Sequence, residues 1–140
     1  MSDPLRIALA DDQALVRTGL KALLGGIAGL QVTLEAGDGE DLLAKLPQTP
    51  VDVILSDIRM PLCDGFQLAK RLRGKGDATP VLLMTTFDEP DLVLRAVECG
   101  AQGFLLKDAS PEDLYEAITA LAQGKTLLAP VPTDPVRSRY

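Results

Sequence analysis

The chain has 140 residues, with 14 Lys and Arg against 20 Asp and Glu for a formal net charge of −6, a length that suits a single domain. It holds no histidine, which excludes Ser-His-Asp and Cys-His triads, His-ligated zinc and a phosphohistidine on this chain. The acidic balance argues against direct nucleic-acid contact, because the sequence-independent part of that affinity comes from Lys and Arg neutralising phosphates.

Short apolar runs alternate with segments of helical period. The first run, Leu5 to Ala10, is followed by Leu15, Leu20, Leu23 and Leu24 at helical spacings, and Gly25-Gly26 stops the pattern, so residues 12 to 24 are expected as a helix. Gln31 to Ala36 is the second strand. The turn Gly37-Asp38-Gly39 leads to a short helix, Asp41 to Leu46, closed by Pro47. Val51 to Ser56 is the third strand, and a helix from Phe66 to Arg73 ends at Gly74. Pro80 to Thr85 is the fourth strand, after which Leu92, Val93, Ala96 and Val97 mark a helix that stops at Gly100. Gly103 to Leu106 is the fifth strand. The last helix has a complete start, with Ser110 as N-cap, Pro111 at the first position and Glu112-Asp113 in the first turn, and should run to about Ala122.

Strands that read as continuous Val, Ile and Leu are buried on both faces, and strand-helix alternation with short loops implies right-handed crossovers. The expected fold is a doubly wound α/β domain with a five-stranded parallel sheet and five helices. It covers residues 4–124, with 125–140 as a tail or the start of a linker because Pro130, Pro132 and Pro135 follow the last periodic stretch. Cys63 and Cys99 form no CxxC pair and read as free thiols in a reducing compartment, the cytoplasm. Cys63 in particular is read as a bystander in its loop. No apolar run approaches the ~20 residues of a membrane span.

In open α/β sheets, ligands bind beyond the carboxyl ends of the strands. Strand one ends at Asp11-Asp12, strand three at Asp57, strand four at Thr85-Thr86 and strand five at Lys107, so three carboxylates, a hydroxyl and an ammonium converge on one edge. Taken alone, Asp12 reads equally well as a helix N-cap. Three carboxylates repel one another, a repulsion that a divalent cation relieves. An all-oxygen donor set suits Mg²⁺, with Mn²⁺ as its substitute, better than zinc. A metal beside an Asp suggests phosphoryl transfer to that Asp, with Lys107 supplying further positive charge and Thr85 a hydrogen bond.

These residues resemble the receiver domains of two-component response regulators. The matching stretches are Ala10-Asp11-Asp12-Gln13 with Leu15-Val16-Arg17, then Ser56-Asp57-Ile58-Arg59-Met60-Pro61 with Asp64-Gly65, then Met84-Thr85-Thr86-Phe87-Asp88, and Gly100 to Asp108. The wording of Thr-Thr-Phe-Asp and Gly-Phe-Leu-Leu-Lys-Asp looks like the LuxR/FixJ (NarL) subfamily. The resemblance implies a flavodoxin-like strand order 2-1-3-4-5. It implies Asp57 as phosphoryl acceptor, and Asp11, Asp12, Asp57 and the Arg59 backbone carbonyl around Mg²⁺. Lys107 would lie on the phosphoryl oxygens, Thr85 would be the switch hydroxyl, and Phe104 the aromatic that rotates inward with it. It further implies a histidine kinase as partner, a phosphorylation-dependent homodimer, and DNA contact only through a C-terminal helix-turn-helix domain outside this sequence. Such a domain is a signalling switch whose only chemistry is its own phosphorylation and dephosphorylation.

Three other readings compete. A haloacid-dehalogenase-type phosphohydrolase needs an acidic residue two positions after its nucleophile, where this chain has Arg59. A flavin binder needs aromatic groups, and the chain has no Trp and only 4% aromatic residues. A degenerate receiver, acting only as an interaction module, sits poorly with an intact acidic pair, Asp57, Thr85 and Lys107.

Overall fold

The structure is a computed structural model and describes residues 3–86 and 91–128. Its elements follow the chain as β1 (Leu5–Ala10), α1 (Ala14–Gly25), β2 (Leu30–Ala36), α2 (Gly39–Lys45), a 3₁₀ turn (Leu46–Gln48), β3 (Val53–Asp57), α3 (Gly65–Gly74), β4 (Val81–Thr85), α4 (Asp91–Cys99), β5 (Gly103–Leu106) and α5 (Pro111–Ala122). The five strands are all parallel in the order β2-β1-β3-β4-β5, as the doubly wound reading requires.

Alternation along the strands sends side chains to two separate cores. Ala8, Ala10, Ile54, Leu83 and Phe104 face α2, α3 and α4 through Leu42, Leu68, Leu72, Leu92 and Ala96. Ile7, Leu9, Val53, Leu55, Leu82 and Met84 face α1 and α5 through Leu24, Leu114, Ile118 and Leu121. β3 and β4 are buried along their whole length. The centre of the sheet therefore delivers its strand ends to one edge as rigid mounts.

Several element ends differ from the sequence reading, each for a local reason. Helix α1 starts at Ala14 with Gln13 as N-cap and no side-chain capping bond, so Asp12 lies ahead of the helix and does not cap it. Asp38 is a true N-cap, accepting from the Asp41 N–H at 2.8 Å, and the helix begins two residues early at Gly39. Pro47 does not end the helical path but sits inside the 3₁₀ turn, whose first positions need no amide donor. Helix α3 opens on a capping box, Asp64 accepting from the Gln67 N–H at 2.8 Å while the Gln67 side chain accepts from the Asp64 N–H at 3.0 Å.

Residues 125–128 are not free of the domain. Leu127 lies beside Gly103 in a parallel bridge, donating to the Gln102 carbonyl at 2.7 Å and accepting from the Phe104 N–H at 3.3 Å, and Leu128 packs on the core that holds Phe104. The proline-rich stretch 129–140, Phe87 and Asp88 lie outside the described residues.

Candidate acidic phosphoryl site

Asp57 is the last residue of β3, and β1 runs alongside with Ala10 opposite Ser56, so the carboxylates that follow both strands emerge side by side. Asp11 is fully buried, Asp57 is buried and Asp12 is exposed. Carboxylate oxygens from all three lie within 4.8 Å of one another. The Lys107 ammonium reaches across from the end of β5, donating to Asp57 Oδ2 at 2.9 Å and to Asp11 Oδ2 at 3.3 Å. Lys107 is itself held in place, its N–H donating to the Thr85 carbonyl at 2.7 Å.

The electrostatics follow from burial and from this imbalance of three carboxylates against one ammonium. Burial pushes the Asp57 carboxyl above its ordinary range; the Lys107 hydrogen bond and charge pull it down, the Asp11 charge adds to the rise, and an N–H from Arg59 helps the ionised form. Burial works against the Lys107 ammonium, yet the hydrogen bond and charge of Asp57, joined by Asp11, outweigh it and hold Lys107 above its usual value. An all-oxygen set with surplus negative charge fits a hard divalent cation, and Mg²⁺ characteristically takes one or two carboxylates and keeps several waters. Asp11, Asp12 and Asp57 are the side chains able to hold it.

The remaining candidates sit close by. Thr85, buried at the end of β4, is one residue beyond Met84, which pairs with Asp57 across the sheet. Arg59 is exposed just past the end of β3. Phe104 is already buried in the core, so an outward-to-inward rotation has to begin from a different rotamer. Cys63 is buried and its thiol is pushed up, chiefly by burial and then by the Asp64 and Asp38 charges. That environment opposes the reactive thiolate.

Two site features escaped the sequence reading. Gly65 appears in the sequence only beside Asp64 in one matching stretch, but a Cβ there would lie 2.6 Å from the Asp57 carbonyl and 2.9 Å from Leu83, so this position admits only glycine against Asp57. The spacing Asp64-x-x-Gln67 was the available signal, since it is a capping-box pattern that fixes where α3 begins. The second is Arg17, whose Nη1 donates to the Asp11 carbonyl at 2.6 Å.

The chain matches the family model for the response regulator receiver domain over residues 7–119. It is 43% identical over 129 residues to the transcriptional regulatory protein YxjL of Bacillus subtilis, covering 92% of this chain and 59% of that protein. It is 41% identical over 126 residues to the transcriptional regulatory protein UhpA of Escherichia coli, covering 90% and 63%. The chain thus spans about six-tenths of the length of these curated relatives. Among solved structures, the signal receiver domain of the response regulator NarL from Mycobacterium tuberculosis superposes with a TM-score of 0.84 at 36% identity, covering 89% of this chain and all of that one. With its sheet order, its acidic edge and its lysine all consistent with these matches, the chain belongs to the response regulator receiver domain family, among receivers of NarL and UhpA type.

Proposed function

We propose that Asp57 accepts a phosphoryl group from a phosphohistidine on a partner histidine kinase. The observation that carries this reading is the Lys107 ammonium bonded to both Asp57 and Asp11 at the carboxyl edge of the sheet. An Asp57 carboxylate oxygen attacks phosphorus in line, the phosphorus–nitrogen bond to the donor imidazole breaks, and the product is an acyl phosphate on this chain. Asp11, Asp12, Asp57 and the Arg59 carbonyl are the groups assigned to Mg²⁺, which when bound neutralises charge on the phosphoryl oxygens. Lys107 keeps Asp57 ionised before transfer and turns to the new oxygens afterwards. Thr85 donates its hydroxyl to the phosphoryl group.

Converting the Asp57 carboxylate into an acyl phosphate replaces one negative charge by about two and adds acceptor oxygens at one buried point, which redistributes the hydrogen bonds of Lys107 and Thr85. Phe104 shares β5 with Lys107's approach and packs against α4, so α4 and β5 form the element that responds. The output is a change in self-association that governs a DNA-binding domain beyond residues 125–140, in the cytoplasm. Residues 4–124 are the receiver unit. Such a domain is a signalling component whose chemistry is confined to its own acyl phosphate.

The test is intact mass after incubation with a small acyl phosphate donor, with and without Mg²⁺, beside Asp57→Ala. The expected result is a Mg²⁺-dependent gain of about 80 Da, one phosphoryl group, that the variant loses. A gain that persists in Asp57→Ala overturns the assignment of the acceptor, and no gain in the wild type with any donor points to a degenerate receiver.

A further inference from the structure

We propose that Arg17 is a positioning residue for the acidic loop, holding the Asp11–Asp12 peptide so that the Asp12 carboxylate stays directed at the cation site. This rests on the receiver reading above and extends it to a side chain outside the acidic cluster.

The ladder of β1 ends at Ala10, which pairs with Ala36 on one side and Ser56 on the other. The Asp11 N–H still finds the Ala36 carbonyl at 3.1 Å, but the Asp11 carbonyl lies past the last paired residue. Arg17 Nη1 takes that place at 2.6 Å. Arg17 is itself doubly fixed. Its backbone N–H closes the first turn of α1 onto the Gln13 carbonyl at 2.9 Å, and its Nε stands 3.6 Å from Glu35 Oε1 on β2. Glu35 is tied in turn to Lys21 at 2.7 Å. The guanidinium therefore bridges the end of β1 to the end of β2.

A peptide is planar, so fixing the Asp11 carbonyl fixes the direction of the Asp12 N–H and the path of the chain into Asp12. Asp11 does not depend on this alone, because its Oδ1 accepts from the Gln13 N–H at 2.9 Å and its Oδ2 from Lys107. Asp12 is exposed, and the plane of the Asp11–Asp12 peptide sets the direction from which its side chain leaves the backbone. The positive charge of Arg17 is directed to a carbonyl and to Glu35, so the side chain acts on the carboxylates through the backbone.

Two physical effects of Arg17 act on cation binding in opposite directions. If Arg17 matters only as a charge, removing it leaves the acidic site more negative and cations bind more tightly. If it positions Asp12, removing it weakens cation binding, by about tenfold on the scale seen when groups that orient metal ligands are lost. The experiment is Mg²⁺ titration of the full chain, without any phosphoryl donor, by calorimetry and amide NMR. Wild type is compared with Arg17→Gln, Arg17→Met and Arg17→Lys.

The expected result is about tenfold weaker Mg²⁺ binding in Arg17→Gln and Arg17→Met, with most of the loss restored in Arg17→Lys, which still donates to the carbonyl. Unchanged or tighter binding in either neutral variant that keeps its folded amide spectrum overturns the inference while leaving the receiver reading intact. Wild type that binds no Mg²⁺ and gains no phosphoryl mass overturns that reading, and this inference with it.

Discussion

The two ends of the sheet each carry a partly buried cation, and the two are held in opposite ways. At the carboxyl edge, Lys107 faces two carboxylates, Asp57 and Asp11. At the amino edge, Arg73 donates to the carbonyls of Gly100 at 2.9 Å, Asp77 at 2.7 Å and Thr79 at 3.0 Å, and to the Gln102 side chain at 2.6 Å. Carbonyl and amide oxygens do not titrate and take no phosphoryl group, so the Arg73 knot joins α3, β4 and the approach to β5 in one fixed arrangement. The partners of Lys107 are carboxylates, which change charge with pH and, under the proposed function, with metal and with phosphorylation. Under the proposed function one end of the molecule stays and the other responds, with the Arg73 end as the fixed reference for any motion of α4 or β5.

Paired substitutions test that contrast where the effect is largest. Arg73→Ala strands several acceptors at once and should cost about 2 kcal/mol in urea denaturation, while Mg²⁺ affinity at the far edge stays unchanged. Lys107→Ala should do the reverse. Its stability cost is smaller because Asp57 relieves the repulsion by protonating, but the phosphorylation-dependent change in hydrogen exchange of β4 and β5 should vanish. Equal losses of stability from the two substitutions would erase the proposed difference between a fixed end and a responsive one.

A second, smaller effect follows from the titration of Asp57. The Asp57 pKa is raised in the folded chain, by burial first and by Asp11. A raised carboxyl contributes stability at pH below its unfolded value and loses it as pH rises through the folded one. In metal-free protein at neutral pH that contribution is gone, and Asp57 is a net cost. Asp57→Asn removes the charge while keeping an oxygen for Lys107, so it should stabilise the metal-free protein by about 1 kcal/mol near neutral pH. The gain should shrink as pH falls into the carboxylate range and disappear at saturating Mg²⁺, which stabilises only a chain that binds it. Lys107 has the same sign but a distant window, since its raised pKa keeps its contribution intact until pH passes the ordinary lysine value of about 10.4. Denaturation across pH with chelator and with Mg²⁺ separates the two.

Legibility in the sequence followed the same division. The strand centres, the two-sided burial of β3 and β4 and the meeting of Asp11, Asp12, Asp57 and Lys107 could be read directly, because apolar runs and the residues that end them are local features. The start of α5 was equally readable, with Ser110 accepting from the Asp113 N–H as a serine followed by proline and two acids suggests. What could not be read depends on contacts between distant segments. The Arg73 knot spans 29 residues to Gln102, and no periodicity marks an arginine whose partners are backbone carbonyls. The need for glycine at 65 is not legible either, because the nearest neighbour of a Cβ there, the Asp57 carbonyl, is met only once β3 and α3 are packed.

The smallest predicted effect concerns the outer edge of β5, where the sequence predicts only a tail at Leu127. A Cβ on Gly103 would come to 3.1 Å from the Leu127 carbonyl, 3.3 Å from Leu82 and 3.4 Å from the Leu127 Cβ. Gly103→Ala must therefore shift one of two neighbours. Leu82 is fully buried between packed layers, whereas among the described residues Leu127 is held by two backbone bonds, one of them long at 3.3 Å. The outer segment should yield first, costing about 0.5 kcal/mol overall. The Phe104 amide, which donates to Leu127, should then exchange faster, while Lys107, which donates to Thr85, keeps its protection. The Leu127 N–H is held by Gln102, whose side chain belongs to the Arg73 knot. Faster exchange at Phe104 with the knot unperturbed would show that the fixed end anchors the start of the outgoing chain, which the switching end then releases or retains through Phe104. A loss well above 1 kcal/mol with Phe104 exchange unchanged would instead put the strain on Leu82 and detach the outgoing segment from the comparison altogether.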